Sequence, residues 1–177
     1  QRQMCIRDRV VAWGSSSAAG DSSGVDFDGP LNNLKVLRVF STQRSFAALR
    51  SDGSVVTWGD GGYGGDSGRV DFDGPANDLK VCQVFSANRV FAALRSDGSV
   101  VTWGDYAYGG NSSGVDFNGP ANDLAVSQIF SNPYAFAALR SDGSVVTWGD
   151  PRRGGDSSGA DFDGASNGLG VSQICSG

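Results

Sequence analysis

Between residues 33 and 60 the apolar residues come in three short bursts, each bounded by glycine, aspartate or serine. Asn33–Phe40 predicts one strand, Phe46–Ser51 a second and Ser54–Asp60 a third. Asp52-Gly53 separates the last two, which predicts a two-residue type I′ hairpin. That turn sets a register in which Ser51 faces Ser54, Arg50 faces Val55, Leu49 faces Val56 and Ala47 faces Trp58. One side of the hairpin then carries Ala47, Leu49, Val56 and Trp58, the small alanine leaving room for the indole. The other carries Ala48, Arg50, Val55 and Thr57, also mostly small or apolar. Both faces are therefore expected to be buried, as when sheets stack on either side. The stretch that follows is rich in glycine, aspartate and serine, and Val70-Asp71-Phe72 predicts a short fourth strand ended by Gly74-Pro75.

This pattern recurs. Phe46–Asp60, Phe91–Asp105 and Phe136–Asp150 are identical letter for letter, and Trp13, Trp58, Trp103 and Trp148 fall 45 residues apart. Asp-Phe pairs and the turn glycines Gly53, Gly98 and Gly143 keep the same step. A unit this short cannot bury both faces of its hairpin alone and must stack on copies of itself. The expected fold is all-β: 45-residue repeats forming blades of a β-propeller, partial or open, with a β-solenoid-like spiral as the alternative. Residues 10–177 read as one repeat domain of four copies, the first and last incomplete, taken from a longer array. Residues 1–9, "QRQMCIRDR", share nothing with the repeat and read as a sequencing or assembly artefact or a non-native extension.

The order "AL", "DG", "V", "WG", then a glycine pair is carried here by Ala48-Leu49, Asp52-Gly53, Val55, Trp58-Gly59 and Gly64-Gly65. With Val126–Asn132 as the strand leading into such a hairpin, it resembles the repeat of the regulator of chromosome condensation family. The resemblance covers nearly all of residues 10–177 and implies a propeller of four-stranded blades. The chain departs from the family in lacking its "GQLG" turn and the histidine often preceding the "AL" strand. The family's founding activity, nucleotide exchange on a small GTPase, depends on loops to which no residue here can be matched.

Composition narrows the chemistry. The 177 residues include 27 glycines and no histidine, and the net charge is −5. Setting aside the three arginines and one aspartate of residues 1–9 takes it to −7, which disfavours nucleic acid as a partner. No apolar run approaches the roughly 18 residues of a membrane helix, so no membrane insertion is expected. Cys5, Cys82 and Cys175 form no framework. Catalysis needs unlike groups converging on one point, whereas a repeat distributes like groups over several. With no histidine to serve as general base, the chain reads as no enzyme and needs no cofactor.

Three sets of residues invite a ligand. The "DFDG" pairs Asp26 and Asp28, Asp71 and Asp73, and Asp161 and Asp163 place carboxylates two apart, as calcium loops do, but no distal glutamate follows. Turn-capping carboxylates on a solvated rim are the expected reading, and a calcium contribution the alternative. The tryptophans could stack on sugars, but their place in a two-sided hairpin assigns them to the core. Just after each tryptophan the copies differ: Gly61-Gly62-Tyr63, Tyr106-Ala107-Tyr108 and Pro151-Arg152-Arg153. Tyr63, Tyr106, Tyr108, Arg152 and Arg153 are thus candidate ligand-loop residues.

Identical copies display loops at regular spacing, which suits multivalent contact. The expected function is a non-catalytic repeat scaffold that binds a protein or glycan partner, placed in a secreted or surface-displayed array. The alternatives are a regulatory propeller fragment serving a GTPase or a ubiquitin-ligase assembly, and a calcium-stiffened adhesin segment.

Overall fold

The computed structural model describes residues 10–12, 20–29, 33–119 and 123–160. Trp13, Asp161, Asp163, Cys5, Cys175 and residues 1–9 lie outside them. The described chain forms three separate antiparallel sheets of three strands each. β1 (Val36–Ser41), β2 (Ser45–Arg50) and β3 (Val55–Gly59) make the first. β4 (Val81–Ser86), β5 (Val90–Arg95) and β6 (Val100–Gly104) make the second, and β7 (Val126–Ser131), β8 (Ala135–Arg140) and β9 (Val145–Gly149) the third. Every strand ladder runs within one repeat, as in propeller blades; a solenoid would pair strands of successive repeats.

The hairpin register differs from the sequence expectation by one residue. Leu49 pairs with Val55, Ala48 with Val56, Ala47 with Thr57 and Phe46 with Trp58. The turn is a three-residue one, not type I′: Gly53 donates to the Arg50 carbonyl, Arg50 donates to Ser54, and only Gly53 takes a positive φ, +87°. A type I′ turn would require positive φ at Asp52 as well. Asp52 instead accepts from both the amide and the hydroxyl of Ser54, which holds the extra residue inside the turn. The same arrangement recurs at Gly98 and Gly143, with φ +81° and +85°.

The shift re-sorts the faces. Phe46 stacks on Trp58 at 5.3 Å with 24° between rings, and Ala48 and Val56 lie on that same side. Ala47, Leu49 and Val55 occupy the other side. The alanines do not make room for an indole across the ladder. Ala92 and Ala93, on opposite faces of the middle sheet, are both fully buried, so small side chains let sheets close on both sides.

Both faces are buried by blade-to-blade stacking. Ala47, Leu49 and Val55 of the first sheet meet Val84, Phe91, Ala93 and Trp103 of the second in one cluster. Ala92, Leu94 and Val100 of the second meet Ile129, Phe136, Ala138 and Trp148 of the third. The predicted fourth strand does not form, and each blade has three strands. Val70–Phe72 is irregular because its backbone is committed to turns: Val70 donates to Ser67, and Gly74 donates to the Asp71 carboxylate. Phe72 is still buried, edge-on to Trp103 at 5.1 Å, a plug between blades. Phe27 on Trp58 and Phe117 on Trp148 repeat the contact.

Candidate functional site

Antiparallel strands sort the connections onto two ends of the blades. At one end lie the DG turns, which tie each repeat to the next: Val81 donates to the Gly53 carbonyl and Val126 to the Gly98 carbonyl, both at 3.0 Å. At the other end lie the β1–β2, β4–β5 and β7–β8 loops, beside the segments that follow β3, β6 and β9. Each of those segments opens with a short 3-10 turn, at Gly61–Tyr63, Tyr106–Tyr108 and Pro151–Arg153. Asp60, Asp105 and Asp150 cap these turns, accepting from the amides of Gly62, Ala107 and Arg152. The Thr42 hydroxyl donates to the Tyr63 carbonyl at 3.0 Å, pinning turn to hairpin loop.

Across this end runs a ladder of arginine and tyrosine. The Arg44 guanidinium lies 5.0 Å from the Tyr63 ring centre, Arg89 lies 4.9 Å from Tyr63 and 5.0 Å from Tyr108, and Arg153 lies 3.9 Å from Tyr134. Tyr108 and Tyr134 close the gap at 6.3 Å, tilted 37°. Arg44 and Arg89 both lie against Tyr63, so this ring links the arginines of two successive repeats. Each arginine also faces an aspartate of its repeat: Arg44–Asp60 at 3.8 Å, Arg89–Asp105 at 3.1 Å and Arg153–Asp150 at 3.6 Å. The Asp105 hydrogen bond raises the Arg89 guanidinium above its ordinary value despite opposing desolvation, with Tyr63 and Tyr108 adding to the effect.

The third repeat exchanges the partners. Positions 44, 89 and 134 read Arg, Arg, Tyr, while 63, 108 and 153 read Tyr, Tyr, Arg. The Arg–Tyr contact survives the exchange, and so does the aspartate beside it. Of the five residues that the sequence offers for a ligand loop, Tyr63, Tyr108 and Arg153 belong to the ladder, whereas Tyr106 (77% exposed) and Arg152 stand clear of it. The repeat pattern alone does not single out Arg44, Arg89 and Tyr134, although the reciprocal exchange between positions 134 and 153 is visible in the aligned repeats.

Beside the ladder the same hairpin loops enclose a depression of about 410 Å³, lined by Ser41–Gln43, Ser86–Asn88 and Ser131–Pro133. Backbone bonds knit its floor: Gln43 donates to Asn88, and Asn88 to Pro133. The acidic segments lie elsewhere and are occupied by turns. Asp26 accepts from Asp28 and Gly29, and Asp71 from Gly74, while the side chains of Asp28 and Asp73 are at least partly exposed. Trp58, Trp103 and Trp148 are buried, and Trp103 donates to the Gly64 carbonyl at 3.1 Å, one blade back.

No protein-family model and no curated protein matches the chain. Among solved structures, Prp20p from Saccharomyces cerevisiae is similar at 18% identity and a TM-score of 0.53, over 79% of this chain and 41% of that one. Human WBSCR16 is similar at 26% identity and a TM-score of 0.47, over 68% of this chain and 36% of that one. The ectodomain of the Physcomitrella patens receptor kinase CR4 is similar at 14% and 0.44, over 78% and 32%. The chain thus spans well under half the length of the proteins it matches. The three sheets are successive blades of a β-propeller. Their fold is similar to that of Prp20p, so the resemblance carried by the hairpin motif extends to the fold.

Proposed function

We propose that this chain is a non-catalytic repeat scaffold that binds a partner macromolecule through the loop end of its blades. The observation that carries this reading is the Arg–Tyr ladder, which joins three blades and keeps its contacts where the residue identities are exchanged. Arginine and tyrosine are among the side chains most enriched at protein-binding hot spots, and stacking fixes their rotamers before a partner arrives. A fold-level precedent agrees: Prp20p, built from such blades, has binding properties to Gsp1p and histones. The test is selection from a random displayed-peptide library and a glycan array, with the parent chain and an Arg44→Gln, Arg89→Gln, Arg153→Gln variant as probes. Ligands captured by the parent and lost by the variant support the reading. Ligands indifferent to the variant, or none at all, overturn it.

A further inference from the structure

We propose that the outer edges of the first and third blades are docking slots for an extended basic peptide, which adds to each as a fourth strand. β3, β6 and β9 each pair on one side only. Around the first hairpin Arg50 donates to the Ser54 carbonyl and Asp60 to the Arg44 carbonyl. By the alternation of an antiparallel ladder, Val56 and Trp58 then turn their backbone groups towards β2, and Val55 and Thr57 turn theirs outward. Neither Val55 nor Thr57 makes a backbone hydrogen bond on that side among the described residues. The same holds for Val100 and Thr102, and for Val145 and Thr147. Exposed edges are ordinarily guarded by lysine, proline or a bulge, and β3, β6 and β9 read Val-Val-Thr-Trp-Gly, with none of these.

The edge of β3 forms the floor of an open groove of about 530 Å³. Residues 24–26 wall it on the Trp58 side of the sheet, where Phe27 meets the indole. Residues 65–68 wall it on the other side, where the Thr57 hydroxyl donates to the Gly65 carbonyl at 3.1 Å and lies 2.8 Å from the Ser67 hydroxyl. A row of unpaired backbone donors and acceptors along the bottom of a slot is the complement of another strand edge.

Charge selects the strand. The charged residues lining the groove are Asp26, Asp66 and Arg50, two carboxylates against one guanidinium. Arg50 gives Nε to the Ser54 hydroxyl and Nη1 to the Asp26 carbonyl, and neither carboxylate forms an ion pair among the described residues. One aspartate stands in each wall. Successive side chains of an added strand point to opposite walls, so two adjacent basic residues meet both. The third blade has Asp116, Asp156 and Arg140 at these places. The second has Asp71 and Arg95, but Asn111 replaces the other aspartate and Arg69 stands where its neighbours have Gly24 and Gly114. Two arginines against one aspartate reverse the sign there, so the second edge is not a site for a basic strand. A second copy of this chain is the wrong occupant, because its own edge strands carry no basic residue and two acidic chains repel.

The experiment is titration calorimetry with the peptide Ser-Thr-Val-Lys-Lys-Val-Thr-Ser and two controls. One control carries Glu-Glu in place of Lys-Lys; the other is the Lys-Lys peptide N-methylated at every amide, which keeps the charge and removes the donors. The expected result is two Lys-Lys peptides per chain, bound at least about tenfold more tightly than either control. Gly24→Arg, Asp66→Asn, Gly114→Arg and Asp156→Asn together copy the second blade into the other two, at glycines where a Cβ meets nothing within 4 Å, and should remove both sites. Arg69→Gly with Asn111→Asp should add a third. Circular dichroism confirms that each variant is folded. Equal binding of either control, no binding, or a quadruple variant that still takes up two peptides would overturn the inference. Self-association of the chain that the Lys-Lys peptide does not compete away would put a second copy in the groove and overturn it too. The groove shares no residue with the Arg–Tyr ladder. The Lys-Lys peptide in excess therefore blanks it during the library selection, and this inference and the scaffold reading fail separately.

Discussion

The two ends of the blades are built from the same repeats and treat sequence in opposite ways. At the turn end, "RSDGS" is spelled identically in the three described sheets, and each turn repeats its bonds. Ser51, Ser96 and Ser141 each donate to the carbonyl of the segment leading into their own blade, at 2.8 Å. At the loop end the letters change, yet an Arg–Tyr–Asp trio persists. The turn end is frozen because it sets register and joins blade to blade, where backbone groups leave no slack. The loop end constrains only a contact, and either partner can supply either half of it.

Removing what both ends share should have the largest effect. Trp103 is 3% exposed at the seam of the first two blades, and Trp103→Ala should cost about 3–5 kcal/mol, read by urea unfolding. A loss below about 1 kcal/mol would mean that the blades do not stack as described. Two glycines test the contrast between the ends. At Gly98 φ is +81° and a Cβ would lie 2.5 Å from that of Ala125 and 3.1 Å from its Cα, so Gly98→Ala should cost about 2 kcal/mol. At Gly62 the nearest atom is the Asp60 carboxylate at 3.3 Å, and Gly62→Ala should change stability by less than about 0.5 kcal/mol. Equal costs would erase the distinction between the ends.

Acid should loosen the turn end. Burial works to raise Asp52 and Asp97, but the hydroxyl and amide of the serine two residues on, with the nearby arginine, outweigh it and hold both below the ordinary carboxylate value. Asp142 is held low chiefly by the Ser144 hydroxyl. A depressed folded-state value means stability that is complete above the unfolded value of about 3.9 and lost as pH falls through the folded one. The melting temperature should therefore drop below about pH 4, and Asp97→Asn should shrink that drop; an unchanged acid limb in the variant would refute the assignment.

Smaller still is the expected stability effect of Arg89→Ala, within about 1 kcal/mol by thermal unfolding, because the stack is half-exposed. A larger loss would make the ladder a structural brace. Smallest of all is calcium: millimolar calcium should leave the melting temperature unchanged, since Asp26 and Asp71 already accept amide bonds. A rise of several degrees would restore the adhesin alternative.

Much of this fold is legible in the letters. The period locates all nine described strands, and the bursts of apolar residues mark them to within three residues at either end. The register is not legible, because Asp-Gly suits a two-residue turn as well as a three-residue one, and the Asp52–Ser54 bonds decide between them. Nor is Phe72 legible as a plug, since Val-Asp-Phe reads as strand until its amides are spent on turns. The ladder hides for a different reason. Arg44 and Tyr63 are 19 residues apart, and Tyr63 and Arg89 belong to successive repeats.

By itself the sequence determined that this chain is a stack of like sheets, buried on both faces. Period and apolar content leave a unit of 45 residues no other way to cover its hairpin. Only the tertiary structure decided which residues confront one another. Cross-blade pairs depend on how sheets are placed in space, and a one-residue change in a turn moves every side chain to the opposite face.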